Sequence, residues 1–147
     1  MFIRTLSNKT FYSKPITGTI SDEKIIALRP QKIFSIDCLT VTIQDLQRLK
    51  TDFEFASIVS APLSGLAGWF EVTFPGGIKL RTGPQEPVAT HWMQALFYFE
   101  DNTQLAQDDK VSGSIEILGN VPEKRTITVN ITMSVPCGKQ LTKSFVF

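Results

Sequence analysis

Between Thr126 and Val135 the chain alternates without a break, and no feature constrains its fold more. Ile127, Val129, Ile131, Met133 and Val135 are apolar, while Thr126, Thr128, Asn130, Thr132 and Ser134 are polar. Successive side chains of a strand point to opposite faces, so this period of two specifies a strand with one face buried and one face wet. Further strands are expected over 34–43, 53–60, 66–74, 78–80, 111–118 and 141–147. Another is expected over 92–99, where apolar residues on both faces call for cover on both sides. Pro75-Gly76-Gly77 supplies the turn that folds 78–80 back onto the strand ahead of it. That longer strand carries Trp69, which is expected in the core. Short helical turns are expected at Ser21-Asp22-Glu23-Lys24, where a hydroxyl precedes acidic residues, and near Pro30-Gln31-Lys32. Many short strands and little helical periodicity predict an all-β fold: an antiparallel β-barrel or sandwich-like domain with short helical turns.

Composition narrows the function classes. A length of 147 residues suits one domain, and 42% hydrophobic with 20% charged residues is the balance of a soluble globular protein. A net charge of +1 and the lack of any Lys/Arg run argue against direct nucleic-acid binding. No apolar run reaches the roughly 18 residues of a membrane span. The N-terminus, Met1-Phe2-Ile3-Arg4-Thr5-Leu6-Ser7, is too short and polar for a signal peptide, so a cytoplasmic or nuclear location is expected. On that ground the glycosylation sequons at Asn8 and Asn130 read as chance matches. Cys38 and Cys137 could pair, but two cysteines make no disulfide framework. With one histidine the chain offers no metal site, since zinc wants about four ligands at close spacing. Neither a nucleophile elbow nor a phosphate-cradling loop is present, and no catalytic residue is assigned.

One stretch does carry chemistry. Pro84 and Pro87 stiffen a loop that delivers His91 and Trp92, side by side, to the start of the 92–99 strand. Histidine can bond a carboxylate, and tryptophan offers a flat wall on which a planar guanidinium can stack. The plainer reading is a buried tryptophan beside a half-exposed histidine. Glu86 near His91 would make an acid–base dyad only if the turn aimed them together.

Thr90-His91-Trp92 resembles the Thr-His-Trp loop of the protein arginine N-methyltransferases. Leu63-Ser64-Gly65-Leu66-Ala67-Gly68-Trp69-Phe70-Glu71-Val72-Thr73-Phe74 is similar to the family's strand ahead of that loop, and Val111-Ser112-Gly113-Ser114-Ile115 to the strand after it. The resemblance runs from about Ile25 to Phe147 and implies the family's C-terminal β-barrel. It divides the chain into an unassigned segment, 1–20, and a barrel domain, 21–147. It implies that His91 and Trp92 bind substrate: His91 would contact acidic residues of the catalytic domain, Trp92 would pack on the acidic substrate loop, and Thr90 would be structural. The phrases Val72-Thr73-Phe74-Pro75-Gly76-Gly77, Ala89-Thr90-His91-Trp92 and Asp109-Lys110-Val111-Ser112-Gly113 lean toward one branch, whose members make asymmetric dimethylarginine, chiefly on histone tails in the nucleus.

The departures point the other way for activity. No strand here leads into the glycine-rich turn that a nucleotide-like cofactor needs. Glu54, Glu71, Glu86 and Glu100 are scattered, with no equivalent of the family's paired glutamates, and no dimerisation arm is recognisable before Ser21. The resemblance therefore implies no cofactor in this chain, S-adenosylmethionine in the full-length enzyme, and no catalysis by the chain alone. Implied partners are arginine-containing proteins such as histone tails, through the full enzyme, and either a catalytic-domain partner or self-association. A non-catalytic binding or dimerisation module, and an unrelated β-sandwich, are the competing readings.

Overall fold

The alternating segment becomes a central strand of a four-stranded antiparallel sheet. The computed structural model describes residues 14–27, 29–87, 90–119 and 125–147. Nine strands run through the described residues: β1 Ile16–Gly18, β2 Arg48–Ala56, β3 Ala61–Gly68, β4 Glu71–Thr73, β5 Lys79–Arg81, β6 Gln94–Leu105, β7 Lys110–Gly119, β8 Ile127–Ser134 and β9 Gln140–Val146. All the registered pairings are antiparallel, so the fold is all-β with short helical turns. The chain forms two compact units, Met1–Ile25 with Ser64–Glu100, and Ile26–Leu63 with Asp101–Phe147.

In the second unit the strand order is β2-β7-β8-β9. The register stacks Leu49, Ile117, Val129 and Phe145 in one row, and Phe53, Gly113, Met133 and Leu141 in another. Ile131, Met133 and Phe145 are fully buried, as the alternation requires. The other face carries rows such as Asp52, Ser114, Thr132 and Thr142, which stay polar. On that face Glu116 accepts hydrogen bonds from Asn130 (3.1 Å) and Arg48 (2.7 Å), and these partners, Asn130 first, hold its carboxyl below the usual glutamate value. Gly113 is there for close packing. A Cβ at that position would run into the Thr132 carbonyl oxygen and come within 2.9 Å of the Phe53 ring.

The strand expected over 34–43 is not formed, because local polar groups capture its backbone first. Val41 N–H donates to the Asp37 carbonyl (2.9 Å) and Leu39 N–H to the Asp37 carboxylate (3.0 Å), which closes a turn. Thr42 and Asp45 then cap helix α1 (Ile43–Gln47) reciprocally: Asp45 N–H donates to the Thr42 hydroxyl and Thr42 N–H to the Asp45 carboxylate. Ile36, Leu39, Ile43 and Leu46 are left exposed, Leu39 almost completely. The turn expected near Pro30 is also not helical. Gln31 extends instead to accept the Glu54 N–H at the edge of β2 (3.1 Å). The turn expected at Ser21 is present as a 3-10 turn, Asp22–Lys24.

In the first unit β1 pairs with β6, Ile16 opposite Leu96 and Gly18 opposite Gln94, although Ile16–Gly18 lies ahead of residue 21. Leu96, Phe97 and Phe99 are all buried, so this part of β6 is covered on both faces. The single strand expected over 66–74 is two, β3 and β4, interrupted at Trp69 and Phe70. Both rings are more than a third exposed, so Trp69 is not the core residue expected from the pattern. After β4, Gly76 (φ 83°) and Gly77 (φ 82°) take left-handed conformations that suit glycine, and β5 returns beside β4. Glu71 on this hairpin meets Lys79 at 3.2 Å and Arg81 at 2.8 Å.

Candidate functional site

The loop after β5 is built to turn. Thr82, at its base, is buried and extends the β4–β5 pairing to Phe70: its N–H and its hydroxyl both donate to the Phe70 carbonyl (3.2 and 3.0 Å), and the hydroxyl accepts the Phe70 N–H (3.2 Å). Gly83 follows, where a Cβ would stand 3.0 Å from the Trp69 indole nitrogen, so that ring lies directly on the loop. Pro84 and Pro87 stiffen the next residues. Val88 and Ala89 lie outside the described residues.

Thr90 to Met93 then form a tight turn, closed by a Met93 N–H bond to the Thr90 carbonyl (3.3 Å). Met93 has φ 53°, in the left-handed region that a side-chain-bearing residue enters only at a cost of about 1–2 kcal/mol. This reversal turns the chain just before β6 begins. His91 is exposed and Trp92 is 56% exposed, so neither is a core residue. The Trp92 ring meets Phe70 nearly at right angles, with centroids 6.1 Å apart and planes at 82°. Among the described residues the buried Thr90 hydroxyl has no hydrogen-bond partner.

Gln94, the next residue, is buried and uses both ends of its amide. Its Nε2 donates to the Thr82 carbonyl (2.8 Å), and its Oε1 accepts the Ile20 N–H (3.0 Å). The sequence pattern alone does not single out Phe70, Thr82 or Gln94. The only signal was a glutamine inside an otherwise apolar strand.

Chemically the turn offers one half-exposed aromatic ring and an imidazole, with the Phe70 ring set against that of Trp92. Among the described residues no ion pair joins Glu86 to His91, so the dyad is not assembled. Glu71 is tied to Lys79 and Arg81, and Glu54 to Lys110 at 3.1 Å. The lysine bond to Glu71 is the main cause holding that carboxyl below the usual glutamate range. No group of three or more His, Cys, Asp or Glu side chains suited to a metal occurs among the described residues. In the second unit an open groove of about 580 Å³, lined by Gln31, Asp52, Glu54, Ser114, Thr132 and Gln140 among others, contains none of residues 90–93.

The profile of the arginine methyltransferase oligomerization subdomain matches residues 2–137, which takes in most of the segment 1–20 that the sequence alone does not assign. Protein arginine N-methyltransferase 6 of Xenopus tropicalis is 31% identical over 128 residues, covering 86% of this chain and 37% of that protein. Protein arginine N-methyltransferase 2 of Xenopus laevis is 30% identical over 131 residues, covering 86% of this chain and 30% of its own length. The branch suggested by 72–77, 89–92 and 109–113 is that of protein arginine methyltransferase 6, and protein arginine N-methyltransferase 2 matches as closely. The chain thus spans between 30% and 37% of these two relatives. Among solved structures, the Trypanosoma brucei PRMT1 enzyme–prozyme heterotetrameric complex with AdoHcy superposes with a TM-score of 0.84 at 18% identity, over 92% of this chain and 44% of the other. Arabidopsis thaliana protein arginine methyltransferase 10 gives 0.79 at 20% identity, over 94% and 43%. At those identities the likeness is one of fold.

Proposed function

The chain belongs to the arginine methyltransferase oligomerization subdomain family, and on that premise we propose that it forms the substrate-side wall of a protein arginine N-methyltransferase. The observation that carries this reading is the Thr90–Met93 turn, which holds Trp92 and His91 in the open at the family's matching motif. In this reading Trp92 is a flat face for the substrate guanidinium, and His91 bonds an acidic group of the cofactor-binding part. A guanidinium also needs carboxylates, and the turn has none free to give; residues outside these 147 supply them. They also supply the site for S-adenosylmethionine, because methyl transfer requires donor and acceptor held in line. Histone tails and other arginine-bearing proteins, in the nucleus or cytoplasm, are the substrates this implies. Calorimetric titration of the purified chain with S-adenosylmethionine is expected to show no binding heat. Micromolar affinity would overturn this division of labour.

A second reading, a non-catalytic binding or dimerisation module, is favoured by the exposed Ile36 and Leu39 ahead of helix α1 and Ile43 and Leu46 within it. A net charge of +1 opposes association only weakly. The isolated chain is therefore expected to self-associate, and Leu39→Asp with Ile43→Asp to reduce that association. Light scattering behind size exclusion, read across dilution, measures both. A wild-type monomer at high concentration would count against this expectation.

A further inference from the structure

We propose that Thr82 and Gln94 are positioning residues that clamp Phe70 and, through its ring, set Trp92, which makes Phe70 a further member of the substrate wall. This rests on the reading of Trp92 as that wall. Three hydrogen bonds converge on the backbone of Phe70. The Thr82 N–H (3.2 Å) and hydroxyl (3.0 Å) donate to its carbonyl, and its own N–H donates to the same hydroxyl (3.2 Å). The residue they hold is itself 41% exposed. An ordinary surface phenylalanine needs no buried support; a platform does.

The support is itself braced. Gln94 is 5% exposed, and a buried amide is costly unless both its ends are bonded. Its two partners, Thr82 and Ile20, come from separate segments, so one side chain locks the hairpin end to the residue that follows the Thr90–Met93 turn. Trp92 is consequently held from two sides. Gln94 and the left-handed Met93 fix where its backbone leaves the strand, and Phe70 meets its ring at 82°. Two half-exposed rings at nearly right angles form a corner that fits a planar cation such as guanidinium.

A network that merely stabilised the hairpin would alter melting without a selective effect on Trp92, so the test reads Trp92 itself. The full chain labelled with 5-fluorotryptophan gives two fluorine resonances, for Trp69 and Trp92, assigned with Trp92→Phe. Thr82→Val, which removes the hydroxyl at nearly constant shape, is expected to shift and broaden the Trp92 resonance in a folded protein. Thr82→Ser is expected to restore it, and Ile131→Val, in the core of the other unit, to leave it in place. An unmoved Trp92 resonance in folded Thr82→Val, or an equal shift in Ile131→Val, overturns the clamp. Should Thr82→Val fail to fold, Phe70→Leu decides: an unmoved Trp92 resonance overturns the proposal and a shifted one supports it. Millimolar Gly-Arg-Gly peptide is expected to shift the wild-type Trp92 resonance weakly, and Thr82→Val or Phe70→Leu to reduce that response at least about threefold. A response that both variants retain overturns the clamp. No response in wild type overturns the substrate wall, and the variant shifts still report on the clamp separately.

Discussion

Replacing Gly113 with alanine is expected to cost the protein about 3 kcal/mol or more, enough to unfold the second unit under mild conditions. The added methyl would enter the space of the Thr132 carbonyl oxygen, with the Phe53 ring at 2.9 Å and the Met133 Cα at 3.0 Å. The nearest obstacle is backbone within the β7–β8 pairing, so relief requires the ladder itself to move. Gly119→Ala, at the far end of the same strand, is the matched control, because its Cβ would meet nothing closer than 3.5 Å. Urea melts of both variants measure the difference. Equal midpoints would show that the two strands are not packed as closely as described.

Phe145→Ala is the second large effect. The ring is fully buried, in the row with Leu49, Ile117 and Val129, and its removal is expected to cost about 3–5 kcal/mol through lost burial and a residual cavity. Trp92→Ala removes a larger side chain, yet more than half of its surface is already in water. Its cost is expected to stay near or below about 1 kcal/mol, the range of an exposed aromatic contact. Trp69→Ala falls between them, since that ring is less exposed and lies on the Gly83 loop. Denaturant midpoints for the three variants give the order directly. A Trp92→Ala loss as large as that of Phe145→Ala would restore the plain reading of Trp92 as a core residue.

The fold was legible wherever burial decided the residue pattern. Val129, Ile131 and Met133 announce β8 because that strand has one buried face and one wet one. Pro75-Gly76-Gly77 announces the β4–β5 hairpin because two left-handed residues in succession suit glycine. Legibility failed where short-range polar groups compete with the ladder. Asp37, Thr42 and Asp45 turn a β-branched stretch into a turn and a capped helix, and no hydrophobic period reports a capping bond. At the interruption between β3 and β4, Phe70 is held by the Thr82 side chain from twelve residues downstream, a bond that no hydrophobic period reports either. His91 and Trp92 stood out by residue type and motif. Their support did not, because Phe70 and Thr82 have no chemistry of their own to advertise, and only folding brings Thr82 onto Phe70 and Phe70 against Trp92.

The most direct test of the proposed substrate wall is methyl transfer by a transplant. The matching segment of the Xenopus tropicalis type 6 relative is replaced by this chain, and S-adenosylmethionine binding serves as the check that the chimera is assembled. The account predicts that the chimera methylates an arginine peptide, and that His91→Ala with Trp92→Ala lowers kcat/KM by about tenfold or more, or about 1.4 kcal/mol of transition-state stabilisation, with cofactor affinity unchanged. An unchanged kcat/KM in the double variant would contradict it.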